Sequence, residues 1–123
     1  MAKKIMVVEH NPEFQLKIKE TLEQAGYEVI TSKSGINALS RLEAEKPEMV
    51  LTTDTMPGVM TGLQLAHKIK FNPETNHILV FLLIEDWNPE TIQAAIRTGA
   101  EGYETRSFDY LTLVAQVETT FQS

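Results

Sequence analysis

Four short polar clusters hold the residues whose types could do chemistry: Glu9-His10-Asn11, Thr52-Thr53-Asp54, Glu85-Asp86 and Thr105-Arg106-Ser107. Glu9 beside His10 suggests a metal or an acid–base pair. With only His67 and His77 elsewhere and no cysteine, the ligand set for a transition metal is thin. Local hydrogen bonding by His10 is the plainer reading. A hydrolytic pair would need a nucleophile motif and an oxyanion loop, and the chain shows neither. Glu9-His10-Asn11-Pro12 contains no glycine, so no phosphate-cradling loop opens here. Arg106 carries a permanent charge on a planar fork. It either pairs with Glu9 or Asp54, extends into water, or holds an anionic ligand.

These clusters are far apart in the chain, and the elements between them decide whether they meet. Apolar strand segments alternate with amphipathic helices. The strands read as Lys4–Val8, Tyr27–Thr31, Met49–Thr53, Ile78–Ile84 and Glu101–Thr105. Asn11-Pro12 and Asn88-Pro89 each open a helix, the asparagine as cap and the proline in the first turn, where no backbone donor is needed. Thr61 caps the helix after the third strand, and the second helix runs from about Ser34 to Glu45. The inward faces read as Phe14, Ile18, Leu22 and Ala25; Ile36, Leu39 and Leu42; Leu63, Ala66 and Ile69 or Lys70, partly buried; Ile92, Ala95 and Ile96; and Leu111, Val114 and Val117. The last helix starts near Ser107 or Asp109. Gly26 and Gly99 act as C-terminal stops.

Five rounds of strand then helix predict an α/β fold, (βα)5, with a doubly wound parallel sheet in the order 2-1-3-4-5. No linker or repeat interrupts it, so residues 1–123 read as a single domain. In such a sheet, polar function gathers at the carboxyl ends of the strands, beside the switch point between strands one and three. All four clusters lie at strand ends.

With that order in place, the chain resembles the receiver domain of two-component response regulators (the CheY-like, flavodoxin-like fold) over nearly its full length. The resemblance rests on "IMVVEHN" at 5–11, "PEMVLTTDTMPGVMTG" at 47–62, "TGAEGY" at 98–103 and "RSF" at 106–108. In that family two acids at the end of strand one bind Mg²⁺ with a phosphoacceptor aspartate. The resemblance places Glu9 and His10 at the acid positions and Thr53 at the acceptor position, with Asp54 one residue later. Ile84 falls where a threonine or serine closes strand four. Arg106 takes the place of the strand-five lysine, Ser107 that of its proline partner, and Tyr103 that of the switch aromatic.

The scaffold therefore matches while the chemistry departs from it, as in a pseudo-receiver. His10 removes a hard anionic ligand from a Mg²⁺ set. Thr53 offers a neutral hydroxyl, a poor nucleophile without an activating base. Ile84 has no hydrogen bond to give an incoming phosphoryl group. Asp54 is read three ways: a polar residue of the loop or its solvated flank, a member of a structural ion pair, or a usable acceptor if a bulge swings it round. Tyr103 reads as a partly buried strand aromatic. Trp87 is either a contact residue or a cover over the sheet end.

The expected function is a signalling domain acting through protein contact, without ordinary aspartyl phosphorylation, enzymatic activity or a cofactor. The alternative is a phosphorylatable receiver using Asp54 with Glu9 and Mg²⁺. Expected partners are a histidine kinase or an output domain, with a homodimer through residues 89–98, 102–106 and 109–119. Eleven Lys and Arg against seventeen Asp and Glu give a net charge of -6, which repels a phosphate backbone and argues against nucleic acid. The longest apolar run, Ile78–Ile84, is far short of a membrane span, and the absence of cysteine suits a cytoplasmic, reducing setting.

Overall fold

The computed structural model describes residues 2–122. Its strands are β1 (Lys4–Val8), β2 (Glu28–Ser32), β3 (Met49–Thr53), β4 (Leu79–Ile84) and β5 (Gly102–Thr105). The helices are α1 (Pro12–Gln24), α2 (Gly35–Glu45), α3 (Gly62–Lys70), α4 (Pro89–Arg97) and α5 (Tyr110–Gln122). All strand pairs are parallel, in the order β2-β1-β3-β4-β5, as the alternation of elements requires.

Because strand side chains alternate, each strand feeds two cores. Met6, Val8, Val50, Val80, Leu82 and Ile84 pack under Ala38 and Leu42 of α2, Leu65, Ala66 and Ile69 of α3, and Ala95 of α4. Ile5, Val7, Met49, Leu51, Phe81 and Leu83 face Ile18 and Leu22 of α1 and Leu113 and Val117 of α5. The central strands are apolar on both faces because both faces are covered.

Asn11, Thr61 and Asn88 cap the helices as the sequence places them, each accepting from the backbone N–H three residues on, and Thr61 with Gln64 forms a reciprocal capping box. Ser34 does the same for α2, accepting from Asn37 N. At α5 the Asp109 side chain accepts from Thr112 N at 2.9 Å, so the start of that helix is settled in favour of Asp109 over Ser107. Gly26 and Gly99, at φ 97° and 85°, take the left-handed turns that end α1 and α4.

Three inward assignments are corrected. Ile36, Ile96 and Leu111 are exposed, with Leu111 at 76%. In α2 the buried residues are Gly35, Ala38 and Leu42; in α4 the buried residue is Ala95, about 100° round the helix from Ile96; in α5, Leu113 takes the place of Leu111. β2 and β5 also begin one residue later than read, and β4 begins at Leu79.

Candidate functional site

The carboxyl ends of β1, β3, β4 and β5 bring the polar clusters to one edge of the sheet. Glu9 follows β1 and extends its pairing through its own N–H, which donates to Ser32 O at 3.0 Å. Its carboxylate is fully buried. Oε1 accepts from the Thr53 hydroxyl at 2.8 Å, and Oε2 accepts from Asn11 N at 2.9 Å. His10 Nδ1 lies 3.3 Å from the same Oε2, and the Arg106 guanidinium lies 3.7 Å from it. Thr53 has one proton to give. Its 3.3 Å contact with Thr55 O is the longer of two, and a charged acceptor is the stronger, so the hydrogen bond goes to Glu9.

Arg106 is held from three sides. Its backbone N–H donates to Ile84 O at 2.8 Å, continuing the β4–β5 pairing. Its side chain donates to Glu85 Oε1 at 3.0 Å. The guanidinium also stacks over the Phe14 ring, 4.4 Å from the centroid, and Phe14 in turn meets Phe108 at 6.2 Å. One cation thus ties the ends of β1, β4 and β5 to the first turn of α1.

Asp54 is 2% exposed, which removes the solvated-flank reading. Its backbone N–H still pairs with Leu83 O, so the β3–β4 ladder runs one residue past the strand. Its carboxylate Oδ1 accepts from Glu85 N at 3.1 Å. Burial pushes its carboxyl above the ordinary value, partly offset by the backbone donors around it. Behind Thr53, Gly62 opens α3 so close to the strand that a Cβ there would sit 1.6 Å from the Thr53 carbonyl oxygen.

Glu9, His10, Thr53 and Arg106 therefore meet, while the Asp54 carboxylate turns to the β4–α4 loop. Ile84 is fully buried under the site, and Ser107 is exposed beside Thr105. Tyr103 is half-buried against the core. Trp87 is 48% exposed in the loop after β4. Among the described residues, no group of three or more His, Asp or Glu is placed to hold a metal ion. Two contributors carried no role in the sequence reading: Glu85, the nearer partner of Arg106, and Phe14, its stacking surface. The register that sets Ile84 against Thr105 was the available signal for Glu85, since it brings the residues that follow each strand together.

This architecture is that of a response regulator receiver. The chain belongs to that family: the model of the response regulator receiver domain matches residues 5–118. It is 29% identical over 118 residues to the phosphate regulon transcriptional regulatory protein PhoB of Rhizobium meliloti, covering 96% of this chain and 52% of that protein. It is 27% identical to the chemotaxis protein CheY1 of Helicobacter pylori, over 94% of both chains. Vibrio cholerae CheY4 superposes with a TM-score of 0.89 at 24% identity, over 98% of this chain and 99% of that one. The chain thus spans about half the length of the phosphate regulators it matches and nearly all of the single-domain chemotaxis protein. A receiver domain is a signalling module, not an enzyme. No helix among the described residues is long and apolar enough to cross a membrane.

Proposed function

We propose that this receiver signals through protein contact in the cytoplasm, without ordinary aspartyl phosphorylation. The observation that carries the reading is the engagement of Glu9. Its buried carboxylate already accepts two hydrogen bonds, from Thr53 and Asn11, and faces the Arg106 guanidinium and the His10 imidazole.

Donor chemistry supports this. Mg²⁺ prefers several oxygen ligands in near-octahedral order. The residues that meet around Glu9 offer one committed carboxylate, an imidazole, a neutral hydroxyl and a resident guanidinium, which do not fit that ion. Phosphoryl transfer relies on charge neutralisation and an in-line nucleophile. Thr53 puts a neutral hydroxyl where a receiver's acceptor carboxylate would stand, and Ile84 offers an incoming phosphoryl group no hydrogen bond. The alternative receiver, built on Asp54 with Glu9 and Mg²⁺, requires Asp54 to leave its backbone donor at Glu85 and turn toward Glu9.

Partners follow from the family: a histidine kinase or an output domain, with self-pairing through α4, β5 and α5. Ile96 and Leu111 stand exposed on that face, with Tyr103 half-buried beside them. The test is incubation with Mg²⁺ and acetyl phosphate, followed by intact-mass analysis. No added phosphoryl mass is expected. A hydroxylamine-labile gain that disappears in Asp54→Ala would establish the alternative.

A further inference from the structure

The seventeen acidic residues are unevenly distributed, and none falls in residues 29–42 or 55–73. Those two stretches hold most of α2 and all of α3, which pack side by side on one face of the sheet. Elsewhere the outer surface is acidic: Glu13, Glu20 and Glu23 on α1, Glu90 on α4 and Glu118 on α5 are all exposed. In a chain of net charge -6, the part of the α2–α3 face from Lys33 to Leu42 and from Val59 to Phe71 is the exception, bounded by the exposed Glu43 on α2 and Glu74 beyond Phe71.

The same face exposes large apolar side chains. Ile36 is 52% exposed, Val59 85% and Phe71 65%. Gly35 lies so close to Met60 that a Cβ there would sit 2.9 Å from its sulfur, so the start of α2 abuts the loop leading into α3. Val59, Met60, Leu63, Gln64, His67 and Lys68 enclose a notch of about 350 Å³. His67 stacks on Phe71 at 4.2 Å and keeps that ring in place at the far end. Lys33 and Lys68 rim the face, and neither forms an ion pair among the described residues.

We propose that the α2–α3 face is a docking surface for an acidic, amphipathic helical segment of a partner protein. Such a helix would seat an apolar stripe along Ile36, Met60, Leu63 and Phe71 and set its carboxylates against Lys33 and Lys68. The occupant follows from charge complementarity: apolar anchors flanked by unpaired cations select an apolar stripe flanked by anions. Two lysines are too few to hold a nucleic-acid backbone on so acidic a domain. The proposal goes beyond the reading of the Glu9 edge and does not depend on whether that edge can be phosphorylated.

The probe is a synthetic helical peptide of about 18 residues, roughly five turns, with leucines on one stripe, glutamates only at positions flanking it, and alanine and glutamine on the outer face. It is titrated into the ¹⁵N-labelled chain while amide shifts are followed. Shifts concentrated in 33–42 and 59–71 are expected. The double variant Ile36→Glu, Phe71→Glu, which alters only exposed positions, should weaken binding by about tenfold or more, and Lys68→Glu should weaken it to a lesser degree. A twin peptide carrying lysines for glutamates should not bind. The proposal is overturned if the acidic peptide leaves both segments unmoved, if the lysine twin binds equally well, if phosphatidylglycerol vesicles produce the same shifts in its place, or if sedimentation shows the face covered by a second copy of the chain.

Discussion

The Thr53 hydroxyl donates to the buried Glu9 carboxylate at 2.8 Å, directly joining the ends of β1 and β3. A neutral donor thus satisfies a charge that would otherwise need an ion. Thr53→Val keeps the shape and removes the proton. Because the bond serves a charged, desolvated acceptor, its loss should cost about 1.5–3 kcal/mol, measured by urea unfolding. A cost below about 0.5 kcal/mol would mean that Asn11 and Arg106 suffice for Glu9.

Thr53→Asp should behave differently. It sets a second carboxylate beside Glu9, and like charges at that distance repel. The variant should be less stable than the parent in EDTA and should regain stability when Mg²⁺ is added, while the parent gains nothing. Thermal melts with and without the ion decide this. A parent that is itself stabilised by millimolar Mg²⁺ would contradict the proposed closure of the edge.

Arg106→Ala removes the guanidinium from Glu9, Glu85 and Phe14 together. Half of Glu85 is exposed, so that pair alone should couple by only about 0–1 kcal/mol in a double-mutant cycle with Glu85→Ala. The larger part of the loss should come from Glu9, which is left buried with one cation fewer. Arg106→Lys should rescue only part of it, because an ammonium has no planar face to lay on Phe14.

Asp54 gives a pH test. Burial raises its carboxyl above the ordinary 3.8 in the folded chain. The folded state therefore holds that proton more tightly than the unfolded one. The stability it contributes is fully present below the ordinary carboxylate value and is lost as pH rises through the raised value. Asp54→Asn can still accept from Glu85 N without bearing charge. It should be more stable than the parent at neutral pH, and the advantage should shrink as pH falls through the carboxylate range. A constant difference across that range would rule out a buried charge as its cause.

Gly62→Ala tests the closeness of α3 to the site. With a Cβ only 1.6 Å from the Thr53 carbonyl oxygen, backbone has to move. Overpacking of this kind costs about 1–3 kcal/mol and here should reach the upper end or beyond. It should also shift the Thr53 and Asp54 amide resonances.

Much of the fold was legible because its signals are local. Asn11-Pro12, Asn88-Pro89 and Thr61 mark helix starts through their own chemistry, and fully apolar strands imply two covered faces. The helix faces were harder. Ile36, Ile96 and Leu111 have the right character for a core, but Leu111 lies in the first turn of α5, and Ile96 shares α4 with the better-placed Ala95. Periodicity gives a stripe without its phase, and which neighbours the stripe meets fixes the phase. At the site, the strand ends told which residues would gather, but not how they would pair. Arg106 takes Glu85 as its nearer partner because β4 and β5 place the residues just beyond their ends side by side, a fact of register rather than of residue type. Asp54 turns to Glu85 N for the same reason: the β3–β4 ladder continues one residue past the strand.

Lys70 closes α3 at the end remote from the Glu9 edge. Its ammonium reaches the carbonyls of Asn76 and Ile78 and meets Glu101 at 2.6 Å, with the side chain only 10% exposed. The helix is therefore moored at both ends, by the tight Gly62 approach at one and this three-way clasp at the other. A visitor settling on its outer side would find a stiff platform, and little of the energy of contact would be spent on reshaping it.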